Sequence, residues 1–181
     1  MFENYYEELV KQRRNLEKPG ASRTFYSLIY EEIECELKYC TSILEVGAGA
    51  GISSLFINRN IERCDAYGFE LYGVKGNHFM ENLPHANNSY DAVLAFDAIH
   101  HSGNPKRALE ELMRVVRPKG SIIIVEPYVS MFSFLPYKIF HHEDTTFAYK
   151  PNTDLTITEL SYGDQGISRY IIKLLGTNPV L

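Results

Sequence analysis

A carboxylate and three alternating glycines meet in Ser42-Ile43-Leu44-Glu45-Val46-Gly47-Ala48-Gly49-Ala50-Gly51. The apolar lead-in predicts a buried strand carrying Glu45 near its end. The glycines predict a sharp turn where a ligand can reach main-chain N–H groups with no Cβ in the way. A dinucleotide fingerprint wants its third glycine at the sixth position from Gly47, and Ile52 stands there. Nicotinamide-dependent hydride transfer is therefore disfavoured. His100 and His101 follow another apolar run, where either could act as a general base or simply cap a turn. His141-His142-Glu143 invites a metal reading, but adjacent helical residues point about 100° apart and do not naturally share one ion. No metal is assigned.

The elements that must position these residues alternate between helix and strand. A helix over about 3–17 is stopped by Lys18-Pro19-Gly20. A second is predicted over about 22–38, with Phe25, Leu28, Ile29, Ile33 and Leu37 at helical spacing. Its acids Glu31, Glu32, Glu34 and Glu36 read as a solvated face. Strands are predicted at 43–46, 62–67, 72–75, 90–96 and 121–125. Helices are predicted at 52–58 and from Asn104-Pro105, where Asn caps and Pro takes the first helical position. Leu109, Leu112, Met113 and Val116 form an apolar stripe in the latter, and Pro118-Lys119-Gly120 ends it. Continuous apolar strands alternating with helices indicate an α/β fold, a mostly parallel sheet covered on both faces.

Bulk properties are those of an ordinary globular chain. The 181 residues suit a single domain: N-terminal helices over 1–40, a ligand-binding core over 41–127 and a C-terminal extension over 128–181. A net charge of −5 disfavours nucleic acid as a partner. Cys35, Cys40 and Cys64 form no CxxC pair and suit a reducing compartment. The acidic, aromatic N-terminus is unlike a signal peptide, and no apolar run has the length of a membrane span. The chain is expected to be cytoplasmic, with no membrane partner.

The motifs fall in a characteristic order. Glu45 to Gly51 is followed by Glu81-Asn82-Leu83-Pro84, Asn88-Ser89-Tyr90-Asp91-Ala92-Val93 and Asp97-Ala98-Ile99-His100-His101. Asn104-Pro105, Arg117-Pro118-Lys119-Gly120 and Val125-Glu126-Pro127 complete the series. Over about 43–127 the chain resembles the class I S-adenosylmethionine-dependent methyltransferases of the type 11, or UbiE-like, group. The resemblance implies a Rossmann-like fold and S-adenosylmethionine as cofactor. It implies that Glu45 faces the methionine end and that the backbone of Gly47, Ala48, Gly49 and Gly51 passes close to the cofactor. Asp65 would accept hydrogen bonds from the ribose hydroxyls, with Glu70 as a competing candidate. Phe96 and Asp97 would lie near the sulfonium. Relatives usually carry an Asp five residues before the proline of the Leu-Pro segment, facing the adenine amino group; here that residue is Phe79. Adenine would then be held by stacking on Phe79, or by Asn77 or the main chain around Met80.

The function this implies is methyl transfer to a small-molecule acceptor, achieved mainly by alignment and exclusion of water. His100 and His101 are the catalytic candidates, needed only if the acceptor must lose a proton. Glu126-Pro127-Tyr128 either lines the acceptor pocket or simply ends a strand. Tyr5, Tyr6, Phe25, Tyr26 and Tyr30 either form a lid over the acceptor or pack the N-terminal helices on the sheet. The rival function is a non-catalytic, methyltransferase-like binding or scaffolding module. Beyond Pro127, helices near 132–142 and 166–175 and one edge strand over 153–160 are predicted. The two-stranded C-terminal hairpin of the family is accordingly expected to be incomplete, leaving a sheet edge through which a homodimer could form.

Overall fold

The computed structural model describes residues 2–126. The helices and strand expected beyond residue 127, and His141-His142-Glu143, lie outside the described residues. Two helices, α1 (Phe2–Glu17) and α2 (Ala21–Glu36), precede a sheet of five parallel strands in the order β3-β2-β1-β4-β5. The strands are β1 (Ile43–Val46), β2 (Glu62–Cys64), β3 (Val74–Lys75), β4 (Tyr90–Phe96) and β5 (Val116–Val125), with α3 (Pro105–Val115) between the last two. No described helix is long and apolar enough to cross a membrane.

Alternation along β1 and β4 sorts the core into two layers. Ile43, Ala92 and Leu94 face α2 and pack with Tyr30, Ile33 and Leu37. Leu44, Val46, Val93 and Ala95 face the opposite way, against Ala108, Leu112 and Val115 of α3. Each large side chain buried in this way contributes about 1.5–3 kcal/mol relative to exposure. Strands buried on both faces account for the near-continuous apolar runs in the sequence. Glu45 is the exception, a carboxylate on the α2 side of the central strand with 2% of its surface exposed.

Several boundaries differ from the expected ones for identifiable reasons. The helix expected over 52–58 is a single 3₁₀ turn, Ile52–Leu55. Ser53 and Ser54 spend their hydroxyls on Glu45 and on the Gly51 carbonyl, the local competition that weakens helices rich in serine. β2 stops at Cys64 because the Asp65 carboxylate accepts the Tyr67 N–H and turns the chain. β3 starts at Val74, after Gly73 at φ +71°. β5 begins five residues earlier than expected, directly after α3, with an irregularity in register between Tyr90–Val116 and Ala92–Ser121. The Pro118-Lys119-Gly120 stretch is thus a bulge inside a strand rather than the end of the helix, which stops at Val115; a Cβ on Gly120 would lie 2.7 Å from the Asp91 carbonyl oxygen.

Two carboxylates tie these elements together. Asp91, in β4, accepts the N–H groups of Thr41 and Ser42 and the Thr41 hydroxyl, and pairs with Arg117 of β5. These donors hold its carboxyl well below the usual range. Glu111 of α3 accepts the Leu83 N–H and pairs with Arg114, which in turn donates to the carbonyls of Leu83 and His85. This fixes the long 76–89 connection against α3.

Candidate functional site

β1 pairs with β2 on one side and with β4 on the other, so the connections leaving β1 and β4 diverge. That is the switch point where open α/β sheets bind ligands, at the carboxyl ends of the strands. The turn after β1 lies there, with Gly47, Gly49 and Gly51 at φ +66°, +49° and +64°. All three occupy the left-handed region that side chains disfavour. Space restricts Gly47 as well: an added Cβ would lie 2.5 Å from Ala98 Cβ and 3.4 Å from Met80 Cε. The turn, the start of the connection after β4 and the Met80 region therefore converge on one point.

Of the two acidic candidates, Glu45 lies in β1 and Asp65 directly follows the neighbouring β2. Asp65 Oδ2 accepts the Gly49 N–H at 2.9 Å, and Oδ1 accepts the Tyr67 N–H at 2.9 Å. Burial pushes its carboxyl up, while the backbone donors oppose that shift. Glu70 is exposed in the short 3₁₀ helix Glu70–Tyr72, so Asp65 is the acid brought to the glycine turn. Glu45 faces Arg63 across the β1–β2 ladder, with Arg63 Nε 3.2 Å from its Oε2 and the Ser53 hydroxyl donating to the same oxygen. Burial nevertheless wins, and the Glu45 carboxyl is pushed up to about 7. Arg63 and Ser53 did not figure among the expected site residues. Their signal was a cationic side chain within a strand whose neighbours are buried.

The first helix supplies a second unanticipated group. Arg13 Nη1 donates to the carbonyls of Ala50 at 2.9 Å and Gly51 at 2.6 Å, and Nη2 to Ser54 Oγ at 3.1 Å. Its guanidinium lies 4.3 Å from the Tyr72 ring centroid. Nearby, Tyr6 stacks on Phe69 at 4.8 Å, and the Leu9 methyls lie 3.7 Å from where a Gly49 Cβ would be. α1 thus covers the outer side of the glycine turn. Tyr26 and Tyr30 instead pack on the sheet with Phe56 and Phe96; the Tyr30 ring is 5.1 Å from that of Phe96. The Phe96 ring belongs to that stack, while Phe79 is half-buried in the loop before Leu83.

Beyond Phe96 the chain enters the other wall of the cleft. Asp97 has φ +52°, a conformation uncommon outside glycine, and its N–H donates to the Val125 carbonyl at 2.7 Å. His100 is buried, with Nδ1 2.5 Å from Glu126 Oε2 and Nε2 3.8 Å from Asp97 Oδ1. Glu126 Oε1 accepts the N–H groups of Ala98 and Ile99 at 3.1 and 2.6 Å. The His101 ring packs against that of His100, centroids 3.9 Å apart. Asp97, His100 and Glu126 offer donor atoms within 4.8 Å of one another. The contact of 2.5 Å between Nδ1 and Oε2 is nevertheless that of a hydrogen bond, closer than two ligands of one ion sit.

Comparison with known proteins agrees with this architecture. Residues 44–124 match the family described as "Methyltransferase domain". The chain is 34% identical over 109 residues to the glycine/sarcosine/dimethylglycine N-methyltransferase of Actinopolyspora halophila, a match covering 50% of this chain and 19% of that protein. It is 27% identical over 118 residues to the demethylmenaquinone methyltransferase of Paenarthrobacter aurescens, covering 59% of this chain and 46% of the relative. Among solved structures, the complex of the Haloferax volcanii Trm112 methyltransferase activator with a methyltransferase matches with a TM-score of 0.53 at 17% identity. That match covers 75% of this chain and 66% of the other, and it speaks to fold alone. The chain thus spans at most about half the length of these two curated relatives.

Proposed function

We propose that the chain is a class I S-adenosylmethionine-dependent methyltransferase of the type 11 group, and that it transfers a methyl group to a small-molecule acceptor bound beside the glycine turn. The observation that carries this reading is the Asp65 carboxylate anchored to the Gly49 N–H at the sheet's switch point. A carboxylate has about four lone-pair positions, and the N–H groups of Gly49, Tyr67 and Ala66 act on this one, so a ribose hydroxyl can still be accepted. The donor set fits a nucleoside on that count. The left-handed glycines fit it too, because main chain rather than side chain faces the cleft.

S-adenosylmethionine, when bound, supplies a methyl group already activated on sulfonium. The chain's own residues then bind, align and exclude water. Asp65 holds the ribose, and the backbone of Gly47, Ala48, Gly49 and Gly51 runs beneath the cofactor. Met80 and Phe79 would hold the adenine side, and Asp97 and the backbone after Phe96 would border the reacting end. Glu45 serves the methionine ammonium in competition with Arg63, which already neutralises part of its field. The relatives' names include both an amine acceptor and a menaquinone precursor, so the acceptor's class must come from this chain's own site.

Titration calorimetry of the full chain with S-adenosylmethionine and its demethylated product tests the reading. Asp65→Ala should weaken both by about ten- to a hundredfold, the equivalent of one or two charge-assisted hydrogen bonds. Absence of binding to either ligand would favour the scaffold instead.

A further inference from the structure

We propose that His85 is a pH-operated latch: its neutral ring fastens the 76–89 connection to the start of β4, and uptake of a second proton releases that connection and weakens the cofactor site it borders. The latch itself follows from the geometry of the described residues alone. Its effect on the cofactor rests on the methyl-transfer reading, and deepens it by giving that site a built-in regulation.

A chain of directed hydrogen bonds runs through three strands to the ring. Lys75 Nζ of β3 donates to Glu62 Oε1 of β2 at 2.7 Å, and the Tyr90 hydroxyl of β4 donates to Oε2 at 2.8 Å. Burial raises the Glu62 carboxyl, but these two donors outweigh it and hold the group below its usual range. An ionised carboxylate only accepts, so the Tyr90 proton is committed to Glu62 and the phenol oxygen is left as an acceptor. His85 Nδ1, 2.9 Å from that oxygen, therefore carries the proton of the neutral ring. The lone pair falls on Nε2, which is buried with no hydrogen-bond partner among the described residues. A second proton there adds a charge and a donor with nothing to receive it, which burial penalises.

The groups that face the ring act on the same balance. Burial comes first and disfavours the charged imidazole; Glu62 of β2 attracts it, whereas His78 of the same connection, Lys75 of β3 and Arg114 of α3 repel it. Together they push His85 below its ordinary value of 6.5. Between the native value and 6.5, the released ring holds a proton that the fastened ring does not. The latch is therefore closed above 6.5 and weakens as pH falls below it, by up to about tenfold per pH unit. Release is transmitted along the connection. The His78 ring lies against that of His85, centroids 5.4 Å apart, and its Nδ1 donates to the Gly76 carbonyl at 2.6 Å. The His78 N–H donates to the Asp65 carbonyl at 3.0 Å, so the residue that His85 supports also braces Asp65. Phe79 and Met80 follow it directly.

The test is amide exchange on the full-length chain at pH 7.5 and 5, corrected for the intrinsic effect of pH. Protection of residues 78–89 should fall about tenfold or more on acidification, while β1 stays protected. His85→Asn offers Tyr90 a donor but takes up no proton, and should protect 78–89 equally at both values. Tyr90→Phe removes the acceptor for Nδ1 and should show the low protection already at pH 7.5. Unchanged wild-type protection, or a fall that persists in His85→Asn, overturns the proposal. So does an Nε2-protonated His85 at neutral pH in ¹⁵N-histidine-labelled chain, its signal identified by its loss in His85→Asn. Calorimetry with S-adenosylmethionine tests the consequence. Between pH 7.5 and 5, affinity should drop at least about threefold more in the wild type than in His85→Asn. Equal drops overturn the coupling to the cofactor site. Failure of the wild type to bind S-adenosylmethionine at pH 7.5 would defeat the methyl-transfer reading separately, with exchange still judging the latch.

Discussion

At the scale of single residues, Glu45 concentrates the most informative conflict. It has an ion-pair partner in Arg63 and a hydroxyl donor in Ser53, yet burial raises its carboxyl from 4.5 to about 7. The native protein then retains, between those values, a proton that the unfolded chain releases. Stability should accordingly fall as pH rises through that window, by about 1–3 kcal/mol in total. Glu45→Gln should flatten the slope, which denaturant titrations at pH 4.5, 6 and 7.5 would measure. A ligand ammonium brought to this carboxyl would favour its ionised form. S-adenosylmethionine binding near pH 6.5 should therefore release a proton, seen as a dependence of calorimetric enthalpy on the buffer's ionisation heat. A buffer-independent enthalpy would place the ammonium elsewhere.

At the scale of elements, the sheet is held in register by side chains at strand ends as much as by its ladder. Asp91 links the residues before β1 to β4 and β5 through the Thr41 and Ser42 N–H groups and Arg117. Asp91→Ala should cost about 1–3 kcal/mol, the range for losing several bonds to a charged acceptor. Its depressed carboxyl gives the opposite pH sign to Glu45. The contribution is present above the ordinary pKa of about 4 and fades as pH falls toward the lower native value. Acid unfolding curves of the variant and wild type should converge at low pH. At α3, the Asn104 side chain accepts the Arg107 N–H at 3.0 Å with Pro105 following, the arrangement read from the sequence as a cap.

For the molecule as a whole, the covering of the glycine turn by α1 has a dynamic consequence. Arg13 spans from that helix to two carbonyls of the turn, and Leu9 lies over Gly49. The proposed binding of a nucleoside beside Gly49 would bring it against Leu9 of α1. Arg13→Met keeps the length of the side chain and removes its donors. It should raise amide exchange across α1 and residues 49–54 by about tenfold, while leaving β1 and β4 protected. Exchange unchanged in α1 would show that the helix is held by its other contacts, Tyr6 on Phe69 among them.

Much of this was legible in the residues themselves. The glycine spacing, the apolar runs of β1 and β4, and the Asn-Pro start of α3 are local signals, because turn sterics, alternation and capping operate within a few residues. The order of motifs along the chain likewise carried the resemblance to methyltransferases, which a family match over residues 44–124 supports. The reach of each connection was not local. Whether residues 52–58 complete a helix depended on where Ser53 could place its hydroxyl, and the early start of β5 depended on space against Asp91. The pairings of Glu45 with Arg63, of Arg13 with the glycine turn and of Glu126 with His100 join residues 18, 37 and 26 positions apart. Sequence determined which groups were available and in what order; only the folded sheet, by bringing separate strand ends to one edge, decided which of them meet.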